Sequence, residues 1–141
     1  MNINLNEKIL VSACLMGVCC RWHGKKIYKS SALKKLQEER PDITLIPICP
    51  ETIAGLPTPR PPVKRISGHV YETCPEKANR KNVTGRDVTD YFINGAKKVL
   101  KIAKKHKINT AVLCKWSPSC DASGITGRLL IKNNIKIINT W

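Results

Sequence analysis

The sequence predicts an α/β protein: a Rossmann-like, mostly parallel sheet of about four or five strands flanked by helices. Two observations predict it. Short apolar runs without polar alternation read as strands buried on both faces, as in a parallel sheet. Between them lie segments with helical spacing, and strand, helix, strand, helix is the order of right-handed β–α–β crossovers. A third observation concerns the strand ends. The runs ending at Cys14 and Cys49 each finish in a thiol, and the run through Cys114 leads into a Ser-Pro-Ser turn that presents Cys120. Three thiols are therefore expected at one edge of the sheet.

In chain order, Lys8–Ala13 is the first strand, and residues 14–24 form a loop with Gly17 and Gly24. Loops at the carboxyl ends of buried strands are where open α/β sheets place ligands. Ser30 or Ser31 caps a helix that runs to about Arg40 and is stopped by Pro41. The second strand is Ile43–Ile48. Residues 52–62 hold four prolines and read as a stiff extended wall or a rigid linker. Val63–Tyr71 reads as one strand, and residues 72–86 as a polar, irregular excursion. Asp87 caps the clearest helix, whose apolar stripe is Val88, Phe92, Ala96, Val99, Leu100 and Ala103. Ile108–Cys114 is the third strand, residues 123–133 a short helix, and Ile135–Ile138 the fourth strand.

A chain of 141 residues suits a single domain over residues 1–141 with a core of its own. No apolar run approaches the ~20 residues needed to span a bilayer, and the N-terminus lacks a signal-peptide layout, so a cytoplasmic protein is expected. In a reducing compartment its seven cysteines suit metal binding, catalysis or plain burial better than disulfides. For Cys74 and Cys114 the plain buried-thiol reading has equal standing. The net charge of +15 favours polyanionic partners, with a solvated lysine-rich surface as the alternative, because many lysines fall on one helix. Aromatic residues make up only 5%, so no stacking platform of the single-strand-binding kind is expected.

If Cys14, Cys49 and Cys120 converge, they can hold zinc with water in the fourth position. They can equally hold three irons of a [4Fe–4S] cluster and leave one iron open. The chain has no Cys-x-x-Cys pair, which favours a cluster at a sheet edge over a zinc knuckle. Three unrelated buried cysteines are the third reading. Glu51, two residues after Cys49, is a candidate proton carrier, as is Ser117 in the turn before Cys120. A solvated carboxylate and a turn-forming hydroxyl are the plain alternatives for these two.

Several ordered motifs then resemble one family. They are Ser12-Ala13-Cys14-Leu15-Met16-Gly17, Cys20-Arg21-Trp22, Cys49-Pro50-Glu51, Gly55-Leu56-Pro57-Thr58-Pro59-Arg60-Pro61, Gly85-Arg86-Asp87-Val88-Thr89 and Ser117-Pro118-Ser119-Cys120. Together they resemble the DUF523 family, whose characterised members are thiouracil desulfidases. The resemblance covers nearly the whole chain. It implies a Rossmann-like fold and a [4Fe–4S] cluster on Cys14, Cys49 and Cys120 with one open iron. It also implies non-redox hydrolytic removal of sulfur from a 2-thiouracil-like pyrimidine, with Glu51 and Ser117 as proton carriers. Arg21, Arg60 and Ser119 are the substrate-contacting candidates; either arginine could instead anchor its loop.

The chain departs from the family pattern at His23, at Asp121 where a glycine is usual, and in a shortened segment after Cys120. These changes border the expected pocket and leave its substrate open. A free thiolated base or nucleoside is the first expectation for a partner. Thiolated tRNA is the second, and a non-catalytic basic module with structural zinc is the third.

Overall fold

A computed structural model describes residues 7–73 and 84–141. The expected parallel sheet is present. β1 (Lys8–Ser12) is followed by a 3₁₀ turn, Ala13–Met16, and then by α1 (Ser31–Glu39) and β2 (Thr44–Ile48). The short α2 (Pro50–Ile53) carries Glu51. β3 (Val63–Ile66), β4 (His69–Thr73) and β5 (Thr84–Asp87) lead into α3 (Thr89–Lys105). β6 (Thr110–Cys114), α4 (Ile125–Lys132) and β7 (Lys136–Thr140) complete the fold.

The main sheet has the order β2-β1-β6-β7, and all its pairs are parallel. The chain moves from β1 outward to β2 and then returns to place β6 on the other side of β1. That reversal makes a topological switch point between β1 and β6, where the loops diverge and leave a crevice at the carboxyl ends of the strands. Leu10, Val11, Leu33, Ala103, Leu113 and Leu130 are fully buried in the core around this sheet. Each such side chain contributes roughly 1.5–3 kcal/mol by leaving water, less for the alanine.

Ser30 caps α1 by accepting the N–H of Leu33 at 3.4 Å. Asp87 acts at the head of α3, its carboxylate accepting the N–H of Thr89 at 2.9 Å. The stripe expected on α3 is largely the buried one: Phe92, Ala96, Val99 and Ala103, with Gly95 added.

Val63–Tyr71 is not one strand. Ser67 and Gly68 both take positive φ (48° and 82°) and turn the chain back, so β3 pairs antiparallel with β4. Two successive left-handed residues are what a tight hairpin turn requires. β5 joins β4 to make a small antiparallel sheet. This sheet shares a second apolar cluster of Leu56, Val70, Val88 and Phe92 with the start of α3. Most of the polar excursion expected over residues 72–86, including Cys74, lies outside the described residues.

Candidate functional site

Three loops meet above the carboxyl edge of the main sheet. The first follows β1 and brings Cys14, Cys20 and Arg21. The second follows β2 and brings Cys49 and Glu51. The third follows β6 and brings Cys114, Ser117 and Cys120. All of these residues line one cavity of about 350 Å³. The proline-rich stretch supplies a further wall through Arg60, Pro61 and Pro62, as the stiffness of the sequence suggested.

Glycines in two helices let the second and third loops sit close. A Cβ at Gly95 of α3 would run into the carbonyl oxygen of Pro50, the first residue of α2. A Cβ at Gly127 of α4 would run into the carbonyl of Asp121. Asn139 of β7 clamps the third loop. Its side-chain nitrogen donates to the carbonyls of Leu113 (3.2 Å) and Cys120 (3.1 Å), and its oxygen accepts the N–H of Ala122 (2.7 Å).

The thiols form a row, Cys114–Cys14–Cys20–Cys49, each in side-chain contact with the next. The Cys49 thiol also lies 3.9 Å from the carbonyl oxygen of Cys20. Donation from Cys114 and Cys20, aided by Arg21, holds Cys14 well below the ordinary thiol range. Donation from Cys20, with help from Thr52 and the Arg60 charge, does the same for Cys49. Their donors Cys20 and Cys114 are pushed up in turn. Burial pushes Cys120 up to about 12. These contacts favour the thiolate at Cys14 and Cys49, the form in which sulfur binds metal.

Among the described residues, no three thiols, imidazoles or carboxylates close on a single metal ion. Cys14, Cys49 and Cys120 reach one cavity from three separate loops, which fits a multi-iron cluster, whose ligand sulfurs stand apart on separate irons, better than one tetrahedral ion. The donor set of Cys14, Cys49 and Cys120 on one cavity suits such a group.

Glu51 is not a solvated carboxylate: its side chain is 13% exposed and its Oε1 lies 3.5 Å from Arg60 Nε. Burial raises its pKa, and the Arg60 charge opposes that rise. Arg60, 4% exposed, is a loop anchor. Its guanidinium donates to Thr58 Oγ1 (2.9 Å), the Pro57 carbonyl (3.3 Å) and the Cys20 carbonyl (2.9 Å), and its backbone N–H donates to the Trp22 carbonyl (2.6 Å).

Arg21 donates to Cys114 Sγ at 3.4 Å and stacks 3.7 Å over the Trp141 ring. Ser117 has the turn role that was one of the readings expected for it. Its Oγ accepts the N–H groups of Ser119 (3.2 Å) and Cys120 (3.1 Å), as a turn serine does, while the residue still lines the cavity. Ser119 lies off the lining, buried, with no partner for its hydroxyl among the described residues. His23 is a turn residue whose Nδ1 accepts the Lys25 N–H at 2.9 Å.

Sequence reasoning missed the part played by Cys20 and Cys114. Cys114 does carry the signal of an apolar run ending in a thiol. Cys20 falls in the Cys20-Arg21-Trp22 motif, but its contact with Cys49 is set only by how the two loops meet.

The model of the 2-thiouracil desulfurase family matches residues 9–140. The chain belongs to that family. Its relatives include "Uncharacterized protein YbbK" of Bacillus subtilis (strain 168), 32% identical over 146 residues that span 93% of this chain and 94% of the relative. A solved structure, that of the [4Fe–4S]-dependent thiouracil desulfidase TudS (DUF523Vcz), superposes with a TM-score of 0.77 at 31% identity. The match covers 94% of this chain and 90% of that one. The family resemblance read from the ordered motifs is therefore borne out, together with the Rossmann-like fold.

Proposed function

We propose that this chain is a [4Fe–4S]-dependent desulfidase. It removes sulfur from a thiolated pyrimidine of the 2-thiouracil kind by hydrolysis without net oxidation or reduction. The observation that carries the reading is the meeting of Cys14, Cys49, Cys120, Glu51 and Ser117 on one cavity at the switch point of the sheet. Membership of the family and the likeness to a desulfidase structure support it.

Cys14, Cys49 and Cys120 would hold the cluster, three ligands for four irons. When bound, it supplies a thiophilic Lewis acid for the substrate sulfur. The remaining work falls to the protein. Glu51, raised by burial yet steadied by Arg60, takes a proton from the attacking water. The hydroxyl of Ser117 is fixed by two backbone donors, which leaves its own hydrogen to be given to a substrate heteroatom. Arg21 and the proline wall orient the ring and limit access of bulk water. In balance, the water oxygen replaces sulfur on the ring carbon, and the water protons leave with sulfur as hydrogen sulfide.

Protein purified and reconstituted without oxygen is expected to hold about four irons per chain. It should release one sulfide per uracil formed from 2-thiouracil, and Cys120→Ala should lose both properties. Zinc in oxygen-free protein, or full activity in Cys120→Ala, overturns the reading.

A further inference from the structure

Aromatic residues are scarce in this chain, yet all three tryptophans stand on the one cavity that gathers the thiols. Trp22, Trp116 and Trp141 are 46%, 78% and 55% exposed there. Arg21 already covers one face of Trp141, but indole is a large apolar surface, and so much of it exposed around one mouth suggests a ligand with a flat face.

Trp116 is the most exposed, and its backbone is unusual. Its φ of 64° lies in the left-handed region, where a bulky side chain is a genuine outlier. Such strain persists only where the surroundings impose it, and it gathers at binding sites. Here the Asp121 carboxylate imposes it. Asp121 Oδ2 accepts the N–H of Trp116 at 2.7 Å, and Oδ1 accepts the N–H and Oγ–H of Ser123 at 3.0 and 2.9 Å. Asp121 itself does not line the cavity. The carboxylate that stands where the family pattern has a glycine therefore works from behind the wall. It pins the turn that puts an indole at the mouth. Lys115 Nζ lies over one face of the Trp116 ring, 4.8 Å from its centroid, which leaves the other face for a flat ligand. The ring belongs to the same turn that presents Ser117 and Cys120.

We propose that Trp116 is the stacking platform for the substrate ring and that Asp121 is the residue that positions it. The occupant is a planar thiolated heterocycle rather than an aliphatic thione, because an indole face rewards only a flat π-system. The inference rests on the desulfidase reading of the same cavity.

The test uses reconstituted holoenzyme with 2-thiouracil as probe, following both sulfide release and calorimetric binding. Stacking of a base is worth roughly 1–3 kcal/mol by alanine substitution, or about 5–150-fold in affinity. Trp116→Ala should raise KM and Kd about 10-fold or more while kcat changes less than about 3-fold, and Trp116→Phe should recover most of the loss. Asp121→Gly should raise KM in the same way in wild type and add nothing to Trp116→Ala, since coupled residues are not additive. Thermal unfolding of each variant separates a lost platform from a lost fold. Equal Kd in Trp116→Ala, or an Asp121→Gly effect that adds in full to Trp116→Ala, overturns the proposal. A wild type that binds 2-thiouracil but releases no sulfide defeats the desulfidase reading alone.

Discussion

A carboxylate two residues from a thiolate and 3.5 Å from a guanidinium is pulled both ways. Burial favours the protonated form of Glu51 and Arg60 favours the charged form, so small changes decide its use. Glu51→Gln keeps the volume and removes the titratable carboxyl. Sulfide release is expected to fall by about 10²–10⁴-fold with iron content unchanged, measured as turnover against iron per chain. Arg60→Met acts differently. It strands the buried Glu51 and frees the carbonyls of Pro57 and Cys20, which ties three segments of the wall to one side chain. Urea unfolding of the same protein should show a loss on the order of 3–5 kcal/mol, well beyond that of Glu51→Gln. The sequence made Glu51 and Ser117 readable because each sits beside a cysteine in a short motif. It could not show that Arg60 spends its donors on backbone, or that Cys20 touches Cys49, because those partners are set by how separate loops meet.

At the scale of elements, the strands and long helices were legible because apolar runs and helical spacing are local properties. The β3–β4 hairpin was not: Ser67-Gly68 lies inside an apolar and basic stretch that reads as continuous. The packing of α3 was also hidden, since a glycine in a helix gives no sign of what it admits. Gly95→Ala should by propensity stabilise a helix by about 0.5–1 kcal/mol. Here the added methyl meets the Pro50 carbonyl, and α2 with Cys49 and Glu51 must shift. A net loss of roughly 1–3 kcal/mol is expected, together with fewer irons retained per chain. Asn94→Ala, on the exposed side of the same helix, should stabilise slightly. Urea midpoints of the two variants check the opposite signs.

The head of α3 gives a pH prediction. The hydroxyl and N–H of Thr89 hold the Asp87 carboxyl below its usual value. A depressed folded pKa means that this stabilisation is complete above the unfolded value of about 3.9 and is lost as pH falls through the lower folded value. Asp87→Asn should flatten the fall of the urea midpoint in that acid window.

Across the whole molecule, the question is where the charge of +15 lies relative to the cavity. α3 runs antiparallel to the strands. Its first half packs on α2 at the carboxyl edge through Gly95 and Lys98. Its end reaches the opposite edge, where His106 Nδ1 lies 3.4 Å from the Nζ of Lys8, the first residue of β1. Lys101, Lys104 and Lys105 are exposed toward that far edge. A polyanion gripped there would not deliver a base to the thiols, so the solvated-surface reading of these lysines fits the architecture better than a tRNA track. Replacing Lys101, Lys104 and Lys105 together by Gln should leave kcat/KM for 2-thiouracil unchanged. Raising salt from about 50 to 200 mM should alter it less than about 2-fold, because an uncharged base gains nothing from phosphate contacts. A thiolated tRNA acting as the true substrate would instead lose about 10³–10⁵-fold over that salt range if it made 6–10 phosphate contacts. Sulfide release measured from both substrates at the two salt concentrations decides between them.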